Sequence, residues 1–141
     1  MAKHYKQGVY SPIHPEKFIY HQNKQNKNIL KLPIYRSSYE LQFFKYCDYN
    51  QNIKYWSTEP FSIKYYNPIK NKICNYYVDF WMLLGDTKYL VEIKPYSQTI
   101  EPKTTYDALT YKINKSKWQA ANKFCQENNM KFIILTEKQL F

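Results

Sequence analysis

The stretch "YYVDFWMLLGDTKYLVEIKP", residues 76–95, constrains the fold of this chain more than any other segment. Its β-branched and aromatic residues predict two apolar strands, and "GDTK" predicts a tight turn between them. Asp79, Glu92 and Lys94 stand in these strands where a buried sheet normally carries Val or Leu. A buried charge is energetically unfavourable unless it is paired, hydrated or bound to a metal. The three charges therefore need a shared explanation.

Side-chain alternation along the second strand places Glu92 and Lys94 on one face. An even turn centred on residues 86–87 sets Asp79 opposite Lys94 and Trp81 opposite Glu92, so that the three charges cluster. The other face then collects the apolar side chains of Val78, Phe80, Met82, Leu84, Tyr89, Val91 and Ile93. This apolar match supports the even register and predicts a core surface.

The charged cluster has two explanations, a structural ion-pair group or an active site. In the first, Lys94 simply neutralises the two acids. In the second, the two carboxylates hold a hard cation such as Mg²⁺, which keeps several waters for a phosphate substrate. The lysine would then orient or deprotonate the attacking water and balance charge developing on phosphorus. The chemistry favours an active site, but the residues alone leave both explanations open.

The flanking patterns predict a single α/β (α+β) domain from residue 34 to residue 141, with a mixed β-sheet flanked by helices. The predicted helices are 35–48 and 105–128, and the predicted strands are 53–56, 61–67, 73–84, 89–94 and 131–137. Ser37 followed by Glu40 is a capping-box pattern at the start of the first helix. Residues 1–33 are polar and include the run "HQNKQNKN", so we expect an extended basic arm there.

Composition disfavours some classes of catalytic site and indicates the charge of the partner. The three cysteines lack C-x-x-C spacing and the three histidines all lie in the first 21 residues, which disfavours a zinc site or a histidine base in the core. The formal net charge of +10 indicates a polyanionic partner, DNA first, although an AT-rich genome would also enrich lysine. No secretory signal or bilayer-spanning apolar run is visible, so we expect a soluble protein without a membrane partner.

The spacing of Asp79, Glu92 and Lys94 resembles the "D…E-x-K" core of the PD-(D/E)xK nuclease superfamily. The resemblance extends to the ordered blocks "YRSSYELQFFKYCD", "VDF", "VEIKP", "QTIEPK" and "KINKSKWQAANKFCQENNMKFIILTEK". Together these look like the head-completion nucleases of tailed phages, which are similar to transposon end-cleaving nucleases. Val78 stands where the superfamily name has proline, but that proline is not a ligand. The resemblance implies a restriction-endonuclease-like core.

The resemblance also implies roles for individual residues. Asp79, Glu92 and the backbone carbonyl of Ile93 would bind Mg²⁺, for which Mn²⁺ would substitute, and Lys94 would assist the attacking water. Glu40 would hold a second ion or a metal-bound water; the alternative for Glu40 is helix capping alone. Candidates for gripping DNA phosphates are Arg36, Lys103, Lys112, Lys115 and Lys117, and Gln98 would support the site. The alternative for each lysine is a solvated helix face, and Trp118 is expected in the core.

The resulting hypothesis is a metal-dependent DNA endonuclease that trims DNA ends in phage head completion. Its expected partners are DNA and head or portal proteins, in the host cytoplasm or in the virion. Cutting both strands favours a homodimer or two successive binding events. One alternative is a structural head-closure or DNA-end-binding protein, in which the basic charge matters and the acids do not. A second is a host-side restriction or repair nuclease, although no sequence-recognition element is evident.

Overall fold

A computed structural model of the chain describes residues 7–20 and 31–141. The elements follow in the order β1 (Gly8–Val9), β2 (Ile34–Tyr35), α1 (Ser38–Tyr49), β3 (Ile53–Thr58), β4 (Ser62–Asn67), β5 (Lys72–Tyr77), β6 (Phe80–Leu84), β7 (Thr87–Ile93), α2 (Thr105–Glu127), β8 (Lys131–Leu135) and α3 (Glu137–Leu140). The central sheet has the strand order β3-β6-β7-β8; β8 runs parallel to β7 and the other pairs are antiparallel. The predicted mixed sheet flanked by helices is confirmed.

Both faces of this sheet are buried. On one face, Phe43 and Phe44 of α1 pack with Phe80 of β6 in one apolar cluster. On the other face, Ala121 of α2 packs with Leu90 of β7 in a second cluster, which also includes the β4–β5 hairpin. The sequence predicted a single apolar face, with Val78 on the same side as Phe80. The other six residues of that predicted face do lie in or against the first cluster, but Val78 belongs to the second cluster, so its predicted placement is wrong.

The β6–β7 turn differs from the predicted one by two residues. Leu84 pairs with Thr87, so only Gly85 and Asp86 form the loop. Gly85 has a φ of +59°, a left-handed conformation that glycine adopts without a steric penalty. The ladder therefore leads from Phe80 opposite Val91 towards Asp79 opposite Glu92, and not to the predicted Asp79–Lys94 pair. A shift of two residues preserves the face of each side chain, so Asp79 and Glu92 still meet.

The predicted long strand 73–84 is interrupted at Val78-Asp79. Before the break, β5 pairs only with β4 in a separate two-stranded sheet; after it, β6 joins the central sheet. The backbone N–H of Glu59 donates to the carbonyl of Asp79 at 2.8 Å, and Glu59 itself has a φ of +39°. A positive φ is uncommon for a non-glycine residue. The chain is thus held in an irregular conformation at the position of a predicted catalytic acid.

Residues 7–20 pack against α1, although the sequence predicts an extended arm there. Tyr10 and Phe18 are buried in the first apolar cluster beside Trp56. Asp48, which is fully buried, accepts hydrogen bonds from the Tyr10 hydroxyl at 2.5 Å and from the Ile13 backbone N–H at 2.7 Å. Residues 7–20 are therefore part of the compact domain. The remainder of the predicted arm, including "HQNKQNKN", His4 and His21, lies mostly outside the described residues.

Lys17 also connects residues 7–20 to α1. Its amine donates to the backbone carbonyls of Cys47, Asp48 and Asn50 at 2.6, 3.0 and 2.9 Å. These carbonyls lie at the C-terminal end of α1, where a positive charge is favourable.

In the part of the chain that the structure describes, no helix combines the length and apolarity needed to cross a membrane.

Candidate active site

The candidate active site lies where the chain passes from β5 to β6, beside the end of β7. Asp79 and Glu92 meet there, and their carboxyl groups are hydrogen-bonded to each other. Glu92 is only 4% exposed. The second oxygen of Asp79, Oδ2, accepts the backbone N–H of Ile93 at 3.1 Å. The tertiary structure thus brings the two predicted metal-binding carboxylates into direct contact.

This contact changes the protonation of Asp79. Burial, the hydrogen bond to Glu92 and the negative charge of Glu92 raise the pKa of Asp79 to about 9, and the charge of Glu40 adds to the effect. The hydrogen bond from the N–H of Ile93 opposes the shift. In the absence of a cation, Asp79 therefore holds a proton at neutral pH, because ionising it beside the negative charge of Glu92 is unfavourable.

Two donors that the sequence analysis did not assign to the site hold Glu92. The Tyr76 hydroxyl and the Trp118 indole N–H both donate to Oε2 of Glu92, at 2.8 and 3.3 Å. Trp118 is buried, as predicted for a core residue, and it also points its only polar atom at the site. Buried indole and phenol groups normally need a hydrogen-bond partner, which was the one signal available in the sequence. Neither partner could be identified without the fold.

Glu40 approaches the pair from α1. Its backbone N–H donates to Oγ of Ser37 at 3.2 Å, which confirms Ser37 as the helix cap but gives only half of the predicted capping box. Its carboxylate accepts the backbone N–H of Arg36 at 2.7 Å. Burial raises the pKa of Glu40, and the Arg36 hydrogen bond partly offsets this shift. Capping therefore occurs, but it does not exclude a second role.

Glu40 and Asp79 line one open cavity of about 320 Å³. Its lining residues are Lys31, Leu32, Ile34, Arg36, Glu40, Thr58, Glu59, Asp79 and Phe80. Glu59, which the sequence analysis did not select, contributes a third carboxylate and forms an exposed ion pair with Arg36 at 3.5 Å. The cavity therefore opens onto Asp79 beside α1, whereas Glu92 is not among its lining residues.

Lys94 continues the ladder beyond β7, since its backbone N–H donates to the carbonyl of Leu135 at 3.1 Å. Alternation then places its side chain on the face of Glu92. Among residues 7–20 and 31–141, the Lys94 amine forms no ion pair with Asp79 or Glu92 within 4.0 Å. The structural alternative, in which Lys94 neutralises the acids, is therefore not what the structure shows.

The predicted DNA-gripping residues fall into separate places. Arg36 lines the cavity beside Glu40, whereas Lys103 and Gln98 line a different cavity of about 620 Å³ against the N-terminal half of α2. Lys117 lies over the rings of Tyr65 and Tyr76, at 5.8 and 5.6 Å from their centres. The remaining two, Lys112 and Lys115, are exposed on α2. Only Arg36 of this set lies in the same cavity as Asp79.

The donor set at the pair fits a hard divalent cation. Asp79 and Glu92 offer carboxylate oxygens, and their mutual repulsion is what a cation would relieve. In a β-strand, the backbone N–H and C=O of one residue point towards the same neighbouring strand. Because the N–H of Ile93 donates to Asp79, the carbonyl of Ile93 also lies on the Asp79 side. Among the described residues, no three His, Cys, Asp or Glu side chains lie together as a metal-binding group.

Comparison with known proteins agrees with this geometry. A family model described as the TnsA-like endonuclease N-terminal domain matches residues 50–137, which include Asp79, Glu92 and Lys94. The chain therefore belongs to the TnsA-like endonuclease family. It is also similar to the head completion nuclease of Enterobacteria phage T4, with 31% identity over 119 residues of alignment that cover 75% of this chain and 79% of that protein.

Proposed function

We propose that this protein is a metal-dependent DNA endonuclease that hydrolyses phosphodiester bonds. The observation that carries the proposal is the contact between the carboxyl groups of Asp79 and Glu92, with Asp79 lining an open cavity. A structural role gives no reason to hold two carboxyl groups in contact without a neutralising cation. Membership of an endonuclease family supports the same reaction class.

In this proposal, Asp79, Glu92 and the carbonyl of Ile93 hold Mg²⁺, or Mn²⁺ in its place. When bound, the ion would stabilise the negative charge that develops on the scissile phosphate. Lys94 orients the attacking water and accepts its proton or balances its charge, from the same face of β7 as Glu92. Glu40 lies in the same cavity as Asp79, where its carboxylate can hold a second ion or orient a hydrated one.

The biological setting is the completion of phage heads after DNA packaging. The relative from phage T4 is named a head completion nuclease, and this chain aligns with most of it. We propose that the protein trims packaged DNA ends in the host cytoplasm or in the virion, in contact with head or portal proteins. The net charge of +10 favours contact with DNA during this step.

The proposal is tested by incubating the purified protein with linear and circular DNA in Mg²⁺, Mn²⁺ or EDTA. Asp79→Asn keeps the shape of the side chain and removes its charge, and we expect at least a roughly hundredfold loss of cleavage. The matched control is Asp86→Asn, in the turn at the far end of the same hairpin. Asp86 is fully exposed, and among the described residues its one ion pair is with Lys54 at 3.3 Å, so cleavage should not change.

Lysine 94 is tested in the same assay. Lys94→Met should reduce cleavage while leaving metal binding intact, and Lys88→Met on the exposed end of the same strand is its control. Cleavage that is independent of the metal, or that survives Asp79→Asn, would show that the reaction takes place elsewhere.

A second candidate is a head-closure protein that binds DNA ends without cutting them. The net charge of +10 favours this function independently of the carboxylates. It predicts salt-sensitive DNA binding that persists in Asp79→Asn, together with completion of infectious heads by that variant. Heads that remain incomplete with a variant that binds DNA normally would reject it.

A further inference from the structure

The β4–β5 hairpin has one buried and one exposed face. Tyr65 and Tyr76 belong to the inner face, which packs on α2 and carries the hydroxyl that holds Glu92. The outer face, defined by the cross-strand pairs Ser62–Tyr77, Lys64–Asn75 and Tyr66–Ile73, consists of six exposed residues. No strand or helix in the described part of the chain covers this outer face.

The chemistry of the outer face is aromatic and basic. Tyr66 is 49% exposed and Tyr77 is 64% exposed. The Tyr66 hydroxyl donates to Oδ1 of Asn71 at 3.0 Å, which fixes the orientation of its ring. Between them lies Lys64, and residues 60–78 contain three lysines and no acidic residue. Exposed aromatic rings around a positive charge are the combination that binds single-stranded nucleic acid.

The outer face begins beside the candidate active site. Tyr77 precedes Asp79 by two residues, which is about 7 Å of extended chain. Ser62, which pairs with Tyr77, lies three residues after Glu59. Glu59 lines the cavity that Asp79 also lines. Tyr66 pairs with Ile73, four residues before Tyr77, so the two rings are roughly 13 Å apart along the hairpin. The surface therefore leads away from the scissile position.

We infer that the outer face of the β4–β5 hairpin binds an unpaired DNA strand adjacent to the cleavage position. This inference rests on the proposed nuclease function and names its substrate class, DNA ends that carry a single-stranded tail. Tyr66 and Tyr77 stack on unpaired bases, and Lys64 contacts a phosphate between them. Bases inside a duplex are stacked on each other, so the two rings discriminate in favour of the unpaired strand.

The test measures binding of fluorescent DNA by anisotropy, in EDTA so that no cleavage occurs. One duplex is blunt and the other carries a single-stranded tail of ten thymidines. We expect wild type to prefer the tailed duplex. Tyr66→Ala and Tyr77→Ala should each weaken binding of the tailed duplex roughly tenfold and leave blunt-duplex binding unchanged. Tyr77→Phe, which keeps the ring, should bind like wild type.

Two control variants make the test specific. Tyr49→Ala removes an equally exposed tyrosine, 59% accessible, at the C-terminal end of α1 and should have no effect. Lys64→Gln should lower the slope of log affinity against log salt concentration by about 0.7 for the tailed duplex, the value for one phosphate contact in a single strand. Lys88→Gln, at the exposed turn end of β7, should leave the slope unchanged.

Several results would overturn the inference. Equal binding of both duplexes by wild type, or an equal loss on both in the alanine variants, removes the single-strand assignment. A wild-type dimer that becomes monomeric in Tyr77→Ala, measured by sedimentation velocity, assigns the face to a second copy of the chain. Failure of the proposed function is distinguishable, since wild type would then prefer the tail in EDTA but cut neither duplex after addition of Mg²⁺.

Discussion

Replacement of Tyr76 by phenylalanine tests whether the hydrogen bonds to Glu92 prepare the site for a metal. The Tyr76 ring is buried under α2, and its hydroxyl donates to Oε2 of Glu92 at 2.8 Å. Tyr76→Phe keeps the ring and removes this donor. Trp118 continues to donate to the same oxygen, but over the longer distance of 3.3 Å. The variant therefore removes the shorter of two hydrogen bonds that orient one carboxylate.

The size of the effect follows from the nature of this bond. A hydrogen bond to an ionised carboxylate contributes about 1.5–3 kcal/mol. Loss of a group that orients a metal ligand typically lowers metal affinity by about 10–100-fold, which corresponds to about 1.4–2.8 kcal/mol. The two ranges agree, so we expect Tyr76→Phe to weaken Mn²⁺ binding by roughly 10–100-fold. Cleavage at a limiting Mg²⁺ concentration should fall in parallel and recover at high Mg²⁺.

Metal binding is measured by isothermal titration calorimetry with Mn²⁺. The matched control is Tyr65→Phe, because Tyr65 is also buried on the inner face of the hairpin and also lies beneath the Lys117 amine. Its hydroxyl interacts with Asn67 at 3.4 Å and not with Glu92. Tyr65→Phe should bind Mn²⁺ as wild type does. An unchanged affinity in Tyr76→Phe, or an equal loss in the control, would refute the assigned role of the hydroxyl.

Three further predictions concern stability, measured by urea unfolding. Because the pKa of Asp79 is raised to about 9 in the native state, the metal-free native protein keeps a proton that the unfolded chain releases near pH 4, so stability should fall as the pH rises between these values. Asp79→Asn should make this fall shallower, and an unchanged pH dependence in that variant would contradict the assignment. Asp48→Ala should lower the free energy of unfolding by about 3–5 kcal/mol, since three buried or partly buried donors lose their acceptor. A loss below about 1 kcal/mol would show that the contacts of residues 7–20 contribute little to stability. Lys17→Gln should cost about 1–2 kcal/mol through loss of the charge at the end of α1, with no change expected from Lys88→Gln.

The sequence by itself determined the local structure and the composition of the site. The capping serine at position 37 and the glycine turn at position 85 act through neighbouring residues, so they can be identified from spacing alone. Alternation also placed Asp79 and Glu92 on one face, even though the predicted register was wrong by two residues. A period of two cannot distinguish registers that differ by two, but it does fix which side chains share a face.

Only the tertiary structure decided which residues hydrogen-bond to Glu92 of the Asp79–Glu92 pair. Tyr76 and Trp118 lie 16 and 26 residues from Glu92, and no local pattern links a phenol on β5 and an indole on α2 to one carboxylate. The break at Asp79 arises because β5 and β6 pair with different strands, while the sequence there continues an unbroken apolar run. The polar composition of residues 7–20 predicts an unpacked segment. In the structure they pack because Asp48 is a buried acceptor for their hydrogen-bond donors. Periodicity reports neighbours along the chain, whereas these contacts depend on which distant elements are packed together.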